Sequence, residues 1–140
     1  LKKIKIISRN VIKESVTLKF KSNINYYLNI ILTNDKNIKK INAKYKNVKK
    51  STNVLTFISE IQEKKLGKTK YCDIFFSEET IENYSKKNKI DFYEHFTHLL
   101  VHSFLHINGF FHKSNIEFQK MKKIEILVLE KLGLQNPYIV

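Results

Sequence analysis

From Phe92 to Asn108 the sequence is apolar on nearly every face of a helix. Phe92, Phe96, Leu99, Leu100, Val101, Phe104, Leu105 and Ile107 leave no broad polar side. A helix of this kind is stable only when buried, so the rest of the chain must surround it. With 140 residues, few glycines, one proline and no internal repeat, the chain is read as a single domain over residues 1–140.

Set into this apolar segment are histidines at regular intervals. His98, His102 and His106 fall at i, i+4 and i+8, on one edge of the helix. All three cannot meet one ion, because eight residues rise about 12 Å along the axis. The pair is therefore 98/102 or 102/106. Gly109 can end the helix and fold the chain back, bringing His112 toward the last turn, which favours 102/106. His102, His106 and His112 then form a three-imidazole set with an open fourth position, the ligand pattern of a catalytic zinc. Read separately, each could be an ordinary packed core histidine. The metalloprotease pattern H-E-x-x-H needs Glu after the first histidine as general base, and here that position is Ser103, so protease chemistry is not expected. A zinc on three histidines still activates water near neutral pH, which suits phosphodiester hydrolysis if cations hold the phosphate. Lys44, Lys46, Lys49 and Lys50 offer such cations, or form a solvated basic loop.

The formal charge of +13 admits two explanations. One is a polyanionic partner such as nucleic acid. The other is compositional bias, since Arg9 is the only arginine and Lys, Asn and Ile recur throughout. Cys72, the lone cysteine, excludes an internal disulfide and fits a reducing, cytoplasmic setting. No apolar run approaches the roughly 18 residues of a membrane span, and the Lys/Ile-mixed N-terminal stretch lacks a signal-peptide core.

Around the histidine helix the pattern predicts mixed elements. A helix is expected over residues 1–15, an edge strand over 16–21 and a more buried strand over 26–32. Thr33, Asn34 and Asp35 supply an N-cap for a short helix marked by Ile38, Ile41 and Tyr45. Strands follow over 52–58 and 71–76, with the polar stretch 60–70 read as a loop between them. Ser77, Glu78 and Glu79 open another helix, and Asp91 with Glu94 resembles a capping box. A last helix over 116–132 is expected to bury Phe118, Met121, Ile124, Val128 and Leu132, with Gly133 closing it.

The block His102 to His112 resembles the H-G-x-L-H-L-x-G-Y-D-H signature of the YbeY endoribonucleases, bacterial rRNA maturation factors. The resemblance continues in Leu32-Thr33-Asn34-Asp35, Ile41-Asn42-Ala43-Lys44-Tyr45-Lys46, Ser51-Thr52-Asn53-Val54-Leu55-Thr56-Phe57 and Cys72-Asp73-Ile74. It ends in Gly133-Leu134-Gln135-Asn136-Pro137-Tyr138, similar to the tail of alphaproteobacterial members. It implies an α+β, zincin-like fold in which a small mixed sheet packs against helices around a central histidine-bearing helix. It implies one Zn2+ per chain on His102, His106 and His112, and no small-molecule cofactor. The implied activity is single-strand-specific endoribonuclease action in 16S rRNA 3′-end maturation and ribosome quality control. The implied partners are ribosomal RNA and the small ribosomal subunit, with no membrane. A family arginine that serves the phosphate falls on Lys46, which keeps the charge without the two-pronged donor geometry. Phe111 replaces an acid beside the third histidine, and Ser103 and Cys72 each replace a glycine. These departures leave open a second reading, an RNA-binding assembly factor in which zinc is only structural. Cys72 as a further metal ligand is the least favoured reading.

Overall fold

Side chains along one strand, Gly67–Ser77, alternate between buried and exposed over most of its length: Cys72, Ile74 and Phe76 face in, while Tyr71 and Asp73 face out. This strand is the centre of a three-stranded sheet in a computed structural model, which describes residues 2–16, 24–45, 54–65, 67–110 and 113–138. The elements run α1 (Lys2–Val16), β1 (Ile24–Thr33), α2 (Asp35–Tyr45), β2 (Val54–Glu63), β3 (Gly67–Ser77), α3 (Glu78–Asn88), α4 (Phe92–Ile107) and α5 (Asn115–Lys131). The sheet order is β1-β3-β2, with β1 parallel and β2 antiparallel to β3. The expected α+β class with a small mixed sheet is therefore present.

The chain divides into two compact units, residues 24–95 and residues 1–23 with 96–140. In the first, Leu28, Ile30 and Leu32 of β1 lie in register with Cys72, Ile74 and Phe76 of β3. On the opposite face, Tyr27 and Tyr71 stack with ring centroids 5.1 Å apart. α2 packs on β2 and β3, and Phe57 meets Tyr45 and Phe75 edge-to-face. α3 packs beside β1 and β3. In the second unit α1 packs on α5, and α4 from Phe96 onward is mostly buried.

Local signals account for the element ends. Asn34 caps α2 by accepting from the Asn37 N–H at 2.8 Å. Ser77 caps α3, and Asp91 caps α4 by accepting from the Tyr93 N–H at 3.0 Å. α4 and α5 end alike. Gly109 (φ +87) and Gly133 (φ +80) occupy the left-handed position after each helix. The next residue then donates back: Phe110 N–H to the Leu105 carbonyl, and Leu134 N–H to the Leu129 carbonyl. Both ends are Schellman motifs.

Three expectations need correction. The stretch 60–70 is not a loop: β2 runs to Glu63 and β3 starts at Gly67, so most of it is hairpin. Its polar far end is held by backbone pairing and by Glu60, which lies 3.6 Å from Lys68 and 3.5 Å from Lys70. β1 is an edge strand, and β3 is the buried centre, because Cys72, Ile74 and Phe76 concentrate the apolar surface there. Phe118 is 41% exposed, because the buried stripe of α5 is Met121, Glu125, Val128 and Leu129. The edge strand expected over 16–21 lies outside the described residues except for Val16, which ends α1.

Candidate metal centre

α4 places His102 and His106 one turn apart, with Nε2 of each ring 3.0 Å from Nε2 of the other. Both rings are held from their far side. His102 Nδ1 lies 2.9 Å from Glu125 Oε2, and His106 Nδ1 lies 2.8 Å from the Phe110 carbonyl oxygen. A carbonyl can only accept, and so can an ionised carboxylate. Each Nδ1 therefore carries the hydrogen and donates, which turns a lone pair of each Nε2 toward the other. Two facing lone pairs repel unless a cation lies between them, either a proton or a metal ion. Two imidazole nitrogens sharing a tetrahedral zinc at about 2.0–2.1 Å sit roughly 3.3 Å apart, close to the observed spacing. The pair thus fits two positions of a metal centre. The third expected ligand, His112, lies outside the described residues, and among the described residues no group of three or more His, Cys, Asp or Glu could hold a metal.

The Schellman turn makes the His106 contact possible. With Gly109 at φ +87 the chain reverses, and the Phe110 carbonyl comes back over the last turn. The sequence signal for this is Gly109, the glycine that can end the helix and fold the chain back.

Glu125 was not foreseen from the sequence. It is 1% exposed on the apolar stripe of α5. It accepts from His102, from His98 Nε2 at 2.7 Å and from the Tyr138 hydroxyl at 3.0 Å. Burial alone raises a carboxyl pKa, yet the hydrogen bonds and charge of His102 and His98 outweigh it and hold Glu125 down to about 2. The signal that could have found it is a lone acid at i+4 from Met121 and i−3 from Val128, where an amphipathic helix should be apolar. His98 contacts Glu125 rather than the facing pair.

The other candidates are less gathered. Lys44 is exposed at the end of α2, its Nζ 5.2 Å from the Tyr45 ring centroid. Lys46, Lys49 and Lys50 lie outside the described residues, as does Phe111. Ser103 is buried and donates to the Leu99 carbonyl at 2.9 Å, so its hydroxyl is satisfied within the helix. Cys72 is buried in β3, and burial pushes its thiol up to about 11.

Comparison with known proteins agrees with this architecture. The family model of Endoribonuclease YbeY matches residues 2–133. Endoribonuclease YbeY of Ehrlichia ruminantium is 36% identical over 144 residues, spanning 99% of this chain and 87% of that protein. Endoribonuclease YbeY of Rhizobium etli is 38% identical over 112 residues, which is 79% of this chain and 66% of its own length. The chain thus spans just under two thirds of the rhizobial relatives it matches. A solution structure of TM1509 from Thermotoga maritima superposes with a TM-score of 0.56 at 20% identity, covering 94% of this chain and 85% of that one, and so shares the fold. The chain belongs to the YbeY endoribonuclease family.

Proposed function

We propose that this chain is a zinc-dependent, single-strand-specific endoribonuclease that acts in 16S rRNA 3′-end maturation and ribosome quality control. The observation that carries the metal assignment is the facing of His102 and His106 through Nε2 while both Nδ1 atoms donate elsewhere. His102, His106 and His112 hold one zinc per chain. Bound there, zinc supplies a Lewis acid that lowers the pKa of water toward neutrality and polarises a phosphoryl oxygen.

The chain's own residues supply the rest. The Glu125 carboxylate and the Phe110 carbonyl fix the tautomer and ring orientation of the two described ligands. Lys46 places a cation against the phosphate oxygens, where negative charge grows during cleavage. Lys44, Lys49 and Lys50 attract the RNA backbone and hold it in register. Partners on this reading are ribosomal RNA and the small ribosomal subunit in the cytoplasm. Among the described residues, no helix is long and apolar enough to cross a membrane.

The test is metal content by mass spectrometry, followed by cleavage of a single-stranded rRNA fragment, for wild type and His106→Ala. The expected result is one zinc per chain and cleavage in the wild type, both lost in the variant. Full zinc with RNA binding and no cleavage would instead support the assembly-factor reading. No zinc in either protein rejects the metal assignment.

A further inference from the structure

The last described residues return to the buried carboxylate beneath the histidines. After α5, the Gly133 turn reverses the chain. Asn136 Oδ1 accepts from the Tyr138 N–H at 2.9 Å across Pro137, an Asx turn that fixes the direction of the last segment. The Tyr138 ring meets His98 edge-to-face at 5.8 Å, and Lys122 Nζ lies 4.6 Å from its centroid. Its hydroxyl donates to Glu125 Oε1, the same oxygen that accepts from His98, while Oε2 accepts from His102.

We propose that Tyr138 is a positioning residue of the metal centre, acting through Glu125, so that metal retention and the seating of the C-terminal segment are coupled. This rests on the metal-centre reading above. The physical argument is geometric. A carboxylate has two oxygens and can rotate about its terminal bond. Holding Oε1 restricts that rotation and keeps Oε2 aimed at His102 Nδ1. Two donors from different elements hold it, His98 on α4 and Tyr138 after α5. Removing the hydroxyl leaves Oε1 with His98 alone, so the carboxylate is held less firmly and His102 loses part of what fixes its ring. Partners of this kind commonly tune metal affinity as strongly as about tenfold or more. Coupling is reciprocal: if the seated tail favours the metal by some factor, the metal favours the seated tail by the same factor.

The Tyr138→Phe variant tests this, because it keeps the ring, the His98 contact and the lysine above it. Zinc release to a chromogenic chelator is measured for wild type, Tyr138→Phe and Glu125→Gln, with thermal melting as the control for folding. Loss of one hydrogen bond predicts about three- to tenfold weaker zinc retention in Tyr138→Phe. Glu125→Gln is expected to fall further, because its amide presents N–H groups to one of two imidazole donors. Amide exchange in residues 134–138 is followed with and without zinc. In the wild type zinc slows it, and in Tyr138→Phe the slowing shrinks by the same factor as the affinity. Unchanged zinc retention in a folded Tyr138→Phe protein overturns the positioning role and leaves the metal-centre reading standing. A wild type that binds no zinc, indistinguishable from His106→Ala, overturns both.

Discussion

The Phe110 carbonyl accepts from His106 Nδ1 at 2.8 Å, four residues along the chain but on the far side of a helix stop. A continued helix would carry that carbonyl onward along the axis, away from the ring. The contact exists because Gly109 adopts φ +87 and lets the chain double back.

Gly109→Ala is therefore expected to act on two quantities. A Cβ at this position meets nothing within 4 Å, so the cost is backbone strain alone. That strain is about 1 kcal/mol, readable by urea denaturation. Relief of the strain also displaces the Phe110 carbonyl, and zinc retention should weaken about tenfold. A loss of stability with zinc affinity untouched would show that this carbonyl does not orient His106.

Asp35 ties the start of α2 to the start of α3. Its carboxylate accepts from the hydroxyls of Ser77 and Thr80, and its own N–H donates to Glu79 Oε1 at 2.6 Å. The Ser77 bond first, then the Thr80 bond, hold its pKa below the usual carboxylate value, against a smaller opposing effect of burial. The folded pKa lies below the unfolded one, so the stabilisation is complete above the ordinary carboxylate range. It is lost as pH falls through that range toward the folded value. Acid unfolding should therefore be shallower in Asp35→Asn than in the wild type, by up to one proton as pH falls through and below the ordinary carboxylate range. Equal slopes would mean that the two hydroxyl bonds contribute nothing that titrates.

Cys72 should be chemically silent in the folded protein. With its thiol pushed up to about 11, roughly one molecule in a thousand carries the thiolate at pH 8, and the side chain is buried. Reaction with a disulfide reagent should proceed only at the rate of unfolding and become immediate in denaturant. Rapid native-state labelling would contradict the buried placement of β3.

If Lys44, Lys46, Lys49 and Lys50 each neutralise one phosphate of a single strand, the affinity should fall steeply with salt. Four contacts at about 0.7 each give a slope near −3 in log K against log salt. Replacing all four by Gln should flatten that slope almost completely. A residual slope close to the wild-type value would place the RNA on other lysines.

Legibility in the sequence followed the physics of each segment. α4 was plain because few apolar residues there have an alternative to burial, and its stop was plain because Gly109 is one of three glycines. The β2–β3 hairpin was hidden because Glu60, Gln62 and Glu63 carry no alternating apolar signal; backbone pairing holds them, and pairing leaves little trace in composition. The histidine pair could be read from a four-residue spacing. Glu125 could not, since its partners are 23 and 27 residues distant and only tertiary packing brings them together. Ser103 departs from a glycine of the family signature. The structure absorbs it by a bond to the preceding turn, a device open to serine but not to most larger residues.

The facing nitrogens of His102 and His106 belong to residues four apart, so no long loop has to close before they meet. The pair comes into being with one turn of helix, on the timescale of helix formation. The restraint from Glu125 needs α5 to dock and arrives later, after a closure of more than twenty residues. Metal offered during folding would thus find two donors early and be locked in last, and refolding in zinc should speed the appearance of α4 before it stabilises the finished protein.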